Sequence, residues 1–189
     1  DRLRIGLFPV GEVDPSVLSL LAEDLSGIFD AEVEILHAIP IAGKHFTKDR
    51  GQYLADGLLG AFSSIVRDPG TVLLGITGAD LYSPGLNFVF GIANTGKALI
   101  STFRLHPEFD GRYRPPGAGG GEPYPAAFRR RILVEAVHEL GHALRLGHCE
   151  FTGCVMYFSN WIGDTDRKGP GFCFRCARAL ERLAETGGG

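Results

Sequence analysis

The chain has 189 residues, 44% of them hydrophobic and 22% charged. That is an ordinary globular composition, long enough for one domain to bury a core unaided. Its 22 acidic against 19 basic residues leave a formal net charge of −3, which argues against a strongly basic nucleic-acid binder. No apolar run approaches the ~20 residues that cross a bilayer, so neither nucleic acid nor membrane is expected as a partner.

The first ten residues have too short an apolar core for a signal peptide. The absence of a starting Met is what a trimmed N-terminus would give. Leu3–Val10 predicts a buried strand. Asp14-Pro15 then pairs an N-cap with a Pro at the first helical position. Val17, Leu18, Leu21, Leu25 and Ile28 follow at helical spacing, so a helix is expected over 15–29. Val33–Ile39 predicts a second strand. Leu54, Leu58, Phe62 and Ile65 predict a second helix over 49–67, against the counter-signal of Gly51, Gly57 and Gly60. Thr71–Thr77 is β-branched and predicts a third strand. The β-α-β-α-β order implies parallel strands with right-handed crossovers.

Asn87–Ala93 and Ala98–Leu105, joined by Asn94-Thr95-Gly96-Lys97, predict a hairpin, so one strand should run antiparallel. The fold class expected is α/β, a twisted mixed sheet with an antiparallel edge strand. From Pro107 to Pro125 there is no periodicity. The run Pro115-Pro116-Gly117-Ala118-Gly119-Gly120-Gly121 reads equally as a surface insertion or as a flap beside a site. Ala126–Leu144 carries the clearest helical pattern, with Leu133, Ala136, Val137, Leu140 and Leu144 on one face. Gly187–Gly189 is expected to be a frayed tail.

The chemistry concentrates late in the chain. Seven of the ten Cys and His residues fall between 138 and 176. His138 and His142 are i and i+4 on the last predicted helix, so their rings share a face. With Glu139 they form H-E-x-x-H, in which two His bind zinc and the Glu serves as general base towards a metal-bound water. His148, ten residues after His138, fits the extended zincin string, and three protein ligands leave an open position for catalysis. Cys173-Phe-Arg-Cys176 has the spacing of a zinc grip or a redox pair more than of a structural disulfide. Without a secretion signal, four thiolates on zinc in a reducing, cytoplasmic compartment are favoured over two disulfides. Met156, the only Met, is either core filler or the thioether floor of a Met-turn.

These residues resemble one family. His138-Glu-x-x-His142, His148-Cys149, Cys154-x-Met156, Phe158-Ser159-Asn160, Asp166-x-Lys168 and Cys173-x-x-Cys176 are similar to the archaemetzincins, metzincin-type zinc proteases. Phe88–Asn94 and Leu99–Leu105 resemble that family's cleft edge. The resemblance implies two zinc ions: a catalytic one on His138, His142 and His148 with Glu139 as base, and a structural one on Cys149, Cys154, Cys173 and Cys176. It also implies a metzincin architecture with a small zinc-tied helical region. A single metalloprotease domain is expected, its upper region spanning residues 1–148 and its lower region residues 149–189.

The expected activity is zinc-dependent hydrolysis of a peptide or protein by a monomer. A substrate strand is expected to pair with an edge strand near Ala98–Thr102; Arg104 and His106 beyond it are expected to be solvated surface. Two positions depart from the pattern: Arg145 stands where a Gly is expected, and Phe158 where some metzincins place a Tyr. The break out of the helix must then fall at Arg145, with a positive φ, or at Gly147; the unchanged spacing from His138 to His148 favours Arg145. The departures motivate a rival reading, a zinc-stabilised interaction module with a weak or latent hydrolytic site. A Cys-based redox sensor is a third.

Overall fold

The computed structural model describes residues 2–110 and 126–186. The expected flap at 115–121 and tail at 187–189 lie outside them. Strand β1 (Arg4–Pro9) is buried at every position but its first. It leads to helix α1 (Pro15–Phe29), where the Asp14 carboxylate accepts the Ser16 N–H at 2.9 Å, as an N-cap must. Strand β2 (Glu32–Ile35) is shorter than expected, and Ile39 reaches the sheet only by one isolated bridge to Val10.

The helix expected over 49–67 is largely replaced. Strands β3 (Phe46–Thr47) and β4 (Gln52–Leu54) come first, then a six-residue helix α2 (Ala55–Gly60) and a 3-10 turn over Ala61–Ser64. Gly51, at φ 65°, takes a left-handed conformation that a right-handed helix cannot contain. The extended Gln52–Leu54 then pairs with neighbours on both sides. Strand β5 (Thr71–Thr77) is as expected, and a short β6 (Leu81–Tyr82) joins β3 and β4 in a three-stranded sheet.

The predicted hairpin forms from β7 (Gly91–Asn94) and β8 (Lys97–Ser101), with Gly96 at φ 80° in its two-residue turn. The main sheet has the order β2-β1-β5-β8-β7, with only β7 antiparallel. One expectation is thereby corrected. Ala98–Ser101 is not an edge: β8 is bonded to β5 on one side and β7 on the other, and the edge on that side of the sheet is β7. Beyond Ser101 the chain turns into 3-10 segments.

Helix α3 (Ala126–Ala143) crosses one face of this sheet, beside α1; α4 (Ile162–Arg167) and α5 (Phe174–Thr186) follow. Strand alternation sends Leu74, Ile76 and Ile100 into a core with Leu21, Leu25, Val137 and Leu140. Leu73 and Leu99 point the other way, to Phe8, Leu58 and Phe62. Helix α3 departs from the expected two-faced pattern. Every residue from Val134 to Gly141 is buried, whereas Leu133 and Leu144 are only partly so. The stretch from Val134 to Gly141 therefore has no free solvent face, and His142 just beyond it is partly exposed.

Arg104 and His106 also differ from the solvated surface expected of them. Arg104 makes two hydrogen bonds to the Asp80 carboxylate at 2.8 and 2.9 Å, and its guanidinium lies 4.3 Å from the Phe88 ring centre. The His106 ring stacks on Phe128 at 4.1 Å, and burial pushes its pKa below the usual histidine value.

Arg131, on α3, ties α4 to the 3-10 segment that follows β8. Its guanidinium bonds both Asp166 oxygens, at 2.7 and 2.8 Å, and the Leu105 carbonyl at 3.1 Å. The Arg131 side chain is 4% exposed, so removing its partner strands a buried charge. Asp166→Ala is expected to cost about 3 kcal/mol, read as a drop in the denaturant midpoint. A loss within experimental error would show that this bridge contributes no stability.

Candidate metal centres

Helix α3 ends by a defined motif. The Leu146 N–H donates to the Gly141 carbonyl and the Arg145 N–H to the His142 carbonyl, both at 2.9 Å. This is the Schellman pairing, and its central residue must be left-handed. Arg145 is there at φ 75°, the break expected from its place in the string. The chain then doubles back, and His148 faces the two histidines it has left. The tip of the β7–β8 hairpin closes the same end, where the Gly96 N–H donates to the Ala143 carbonyl at 2.9 Å.

The three histidines form one cluster. Ring centres are 4.6 Å apart for His138–His142, 4.6 Å for His142–His148 and 5.4 Å for His138–His148. The backbone sets the tautomers of the first two. His138 Nδ1 lies 2.7 Å from the Val155 carbonyl and His142 Nδ1 2.8 Å from the Leu146 carbonyl. A carbonyl only accepts, so each Nδ1 carries the proton and each Nε2 presents a lone pair. Those two Nε2 atoms are 3.1 Å apart. Neither can donate to the other, so the approach is repulsive unless a cation lies between them. Nitrogens each ~2.0–2.1 Å from a tetrahedral zinc sit about 3.3 Å apart. Burial lowers the pKa of all three histidines, His138 to about 3, which keeps them neutral. The donor set thus fits a metal ion.

Lys168 is fully buried beside this cluster. Its ammonium donates to the Tyr157 carbonyl at 2.6 Å and comes within 3.3 Å of His138 Nδ1. Because that nitrogen already donates to Val155, the second approach is electrostatic contact only. Burial pushes the Lys168 pKa down, and the Glu135 and Glu139 carboxylates oppose the shift.

Glu139 is buried with no hydrogen-bond partner among the described residues. Burial, reinforced by Glu135, raises its pKa well above the carboxylate range. It lies against the edge strand: a Cβ added at Gly91 would stand 2.7 Å from Glu139 Cγ. A second glycine admits Met156, which is fully buried in the turn closed by Tyr157 N–H to Cys154 carbonyl at 2.9 Å. A Cβ at Gly141 would collide with the Met156 sulfur, so the thioether packs directly on the backbone of α3. The position expected to lack a Tyr does so, and the Phe158 ring stands 5.1 Å from His148.

The four cysteines gather as a second group, their sulfurs within 4.8 Å of one another. They are free thiols. Cys149 and Cys173 Sγ are 3.8 Å apart, far from the ~2.0 Å of a disulfide and close to the spacing of two sulfurs each ~2.3 Å from a tetrahedral zinc. Backbone N–H groups point at the sulfurs: Phe151 to Cys149 at 3.5 Å, Cys173 to Cys154 at 3.3 Å. The Cys176 N–H does the same for Cys173, lowering that thiol to about 7. Donors aimed at sulfur suit thiolates on a metal. Helix α5 begins at Phe174, so Cys173 stands just before it and Cys176 lies in its first turn.

Several partners of the site carry no readable signal in the sequence. Gly91, Gly141, Glu135 and Lys168 matter through what they touch, and no spacing rule marks that. Of these, only Lys168 stands within the resembling string, without a role.

Arg145 holds φ 75° at the cost of a Cβ clash that glycine avoids. Arg145→Gly is expected to stabilise the protein by about 1 kcal/mol, measured by thermal or denaturant unfolding. Destabilisation would mean that the side chain itself supports the turn.

With the geometry in view, the likenesses to known proteins are consistent. Residues 33–182 match the family model described as Peptidase family M54. An archaemetzincin of Pyrococcus furiosus is 44% identical, over 98% of this chain and 96% of its own. The crystal structure of an archaemetzincin from Methanopyrus kandleri superposes with a TM-score of 0.81 at 33% identity, over 97% of this chain and 96% of that one. A structure described as a zinc-dependent peptidase, from Methanocorpusculum labreanum, has a TM-score of 0.76 at 30% identity, over 93% and 99% of the two chains. This chain belongs to peptidase family M54, the archaemetzincin family of zinc metallopeptidases.

Proposed function

We propose that the chain hydrolyses peptide bonds with zinc held by His138, His142 and His148 and with Glu139 as general base. The observation that carries this reading is the pair of Nε2 lone pairs forced 3.1 Å apart beside a buried carboxylate without a hydrogen-bond partner among the described residues. When bound, zinc supplies Lewis acidity, polarising a peptide carbonyl and acidifying water. Glu139 accepts the proton of the attacking water at a carboxylate oxygen and passes it to the departing amine. Val155 and Leu146 carbonyls keep His138 and His142 in the ligand tautomer.

The substrate strand is assigned to the edge strand β7 instead of β8. Gly91 lies on that edge and against Glu139, so an added strand there would run past the base. Met156 forms the floor of the histidine cluster. The four cysteines hold a second, structural zinc, because four protein ligands close a tetrahedral site. That zinc organises a lower region, residues 149–189, under an upper region that ends at His148. Four free thiols fit a reducing, cytoplasmic setting. Among the described residues no helix is long and apolar enough to cross a membrane.

Metal analysis should give two zinc ions per chain, with a mild chelator removing one. Glu139→Gln should keep both and lose at least ~100-fold of the cleavage rate on a peptide library. Retention of cleavage would remove Glu139 from its role. Absence of cleavage by the zinc-loaded wild type would favour the rival interaction module.

The two metals should also differ in structural weight. Cys149 and Cys154 lie in the loop after α3, Cys173 and Cys176 at the start of α5, so the four-Cys site joins two segments distant in the chain. His138 and His142 sit on a helix already packed. Cys176→Ser should therefore lower the melting temperature more than His142→Ala. The reverse order would show that the histidine site carries the fold.

A further inference from the structure

Helix α3 places Glu135 one turn before Glu139, and both line a single cavity of about 230 Å³ that opens beside His138. This is room for a long side chain, against the ~30 Å³ share of one water. Glu135 is 2% exposed. Its Oε1 accepts from Thr165 Oγ1 at 2.8 Å, and among the described residues no donor bonds its other oxygen. Lys168 acts on it through charge, while its ammonium hydrogen-bonds the Tyr157 carbonyl and, among the described residues, not Glu135. A second polar group stands on the cavity wall: Ser159 Oγ is buried without a hydrogen-bond partner among the described residues. Phe88, Phe90 and Phe158 supply apolar walls.

A buried hydroxyl that lacks a partner is costly unless something brings one to it, and the carboxylate oxygen that Thr165 leaves free adds a negative group to the same cavity wall. Apolar walls ending in such acceptors suit an aliphatic stem with a cationic tip. We propose that this cavity is the subsite for a lysine or arginine side chain of the substrate, next to the scissile bond, with Glu135 as its specificity-determining carboxylate. The inference rests on the hydrolytic reading of the site. A free α-amine offers the same charge but no stem, so it would leave the aromatic walls unfilled.

The test uses zinc-loaded protein and N-acetylated peptides of one sequence. Each of the two positions flanking the scissile bond carries lysine, norleucine or glutamate in turn. At one position lysine should exceed norleucine in kcat/KM by about tenfold, with glutamate poorest. In Glu135→Gln, which keeps an acceptor for Thr165, that ratio should fall to about one. A merely structural Glu135 would change both peptides together and leave the ratio standing, which overturns the assignment. A wild-type ratio near one overturns it too, whether or not the variant folds. A lysine preference confined to unblocked peptides assigns the cavity to the α-amine and has the same effect. Calorimetric binding of the same peptides to Glu139→Gln separates the two readings. Lysine-selective binding without wild-type cleavage keeps the subsite and defeats hydrolysis; cleavage without lysine selectivity does the opposite.

Discussion

Two imidazoles one helical turn apart can be joined by a third only if the chain leaves the helix and comes back. Much of the site follows from that constraint. The exit is the Schellman end of α3, with Arg145 at φ 75°, and the hairpin tip at Gly96 covers the carbonyl that the exit leaves open. The Leu146 carbonyl produced by the turn then fixes the His142 ring. Val155, further along, fixes His138, and Met156 packs on the helix backbone through the gap at Gly141. Each of these contacts is local, yet together they bring three imidazoles to one point and set the lone pairs of two of them.

The electrostatics of the same region are governed by burial, although His148 itself is exposed. The histidines are lowered, Glu139 is raised, and Lys168 is lowered, with burial the first cause in every case. Burial thus disfavours charge on every one of these groups. The result is a set of neutral ligands beside a lysine held by a carbonyl instead of by water.

Where the fold is legible in the sequence, the signal is periodicity or chemistry with a fixed spacing. Strand β1, helices α1 and α3, strand β5 and the β7–β8 hairpin are readable from apolar spacing, a cap and a turn. The stretch from Phe46 to Gly60 is not. Its Leu and Phe residues recur at helical intervals, but the left-handed Gly51 and the pairing of Gln52–Leu54 override them. Nor does the sequence tell β8 from an edge, because strand order is decided by partners distant in the chain. Helix α4 is six residues long, too short to leave a periodic trace. In the site, the seven metal-type residues come together in two groups as their spacing suggests. The residues without a sequence signal act through buried contact: a glycine matters because of what presses on it, a buried lysine because of the carbonyl it meets.

His148 and Cys149 are neighbours in sequence but belong to different clusters. One peptide unit therefore serves both, and the Cys149 N–H is itself bonded to the Met156 carbonyl at 2.9 Å. Five of the seven candidate ligands lie between 138 and 154, so this stretch has almost no slack. Surface loops ordinarily absorb an inserted or deleted residue at little cost. Here a change of one residue between Leu146 and Cys149 would move two clusters at once, in directions no single compensating change could undo. In this region of the molecule, chain length is as strictly specified as residue identity.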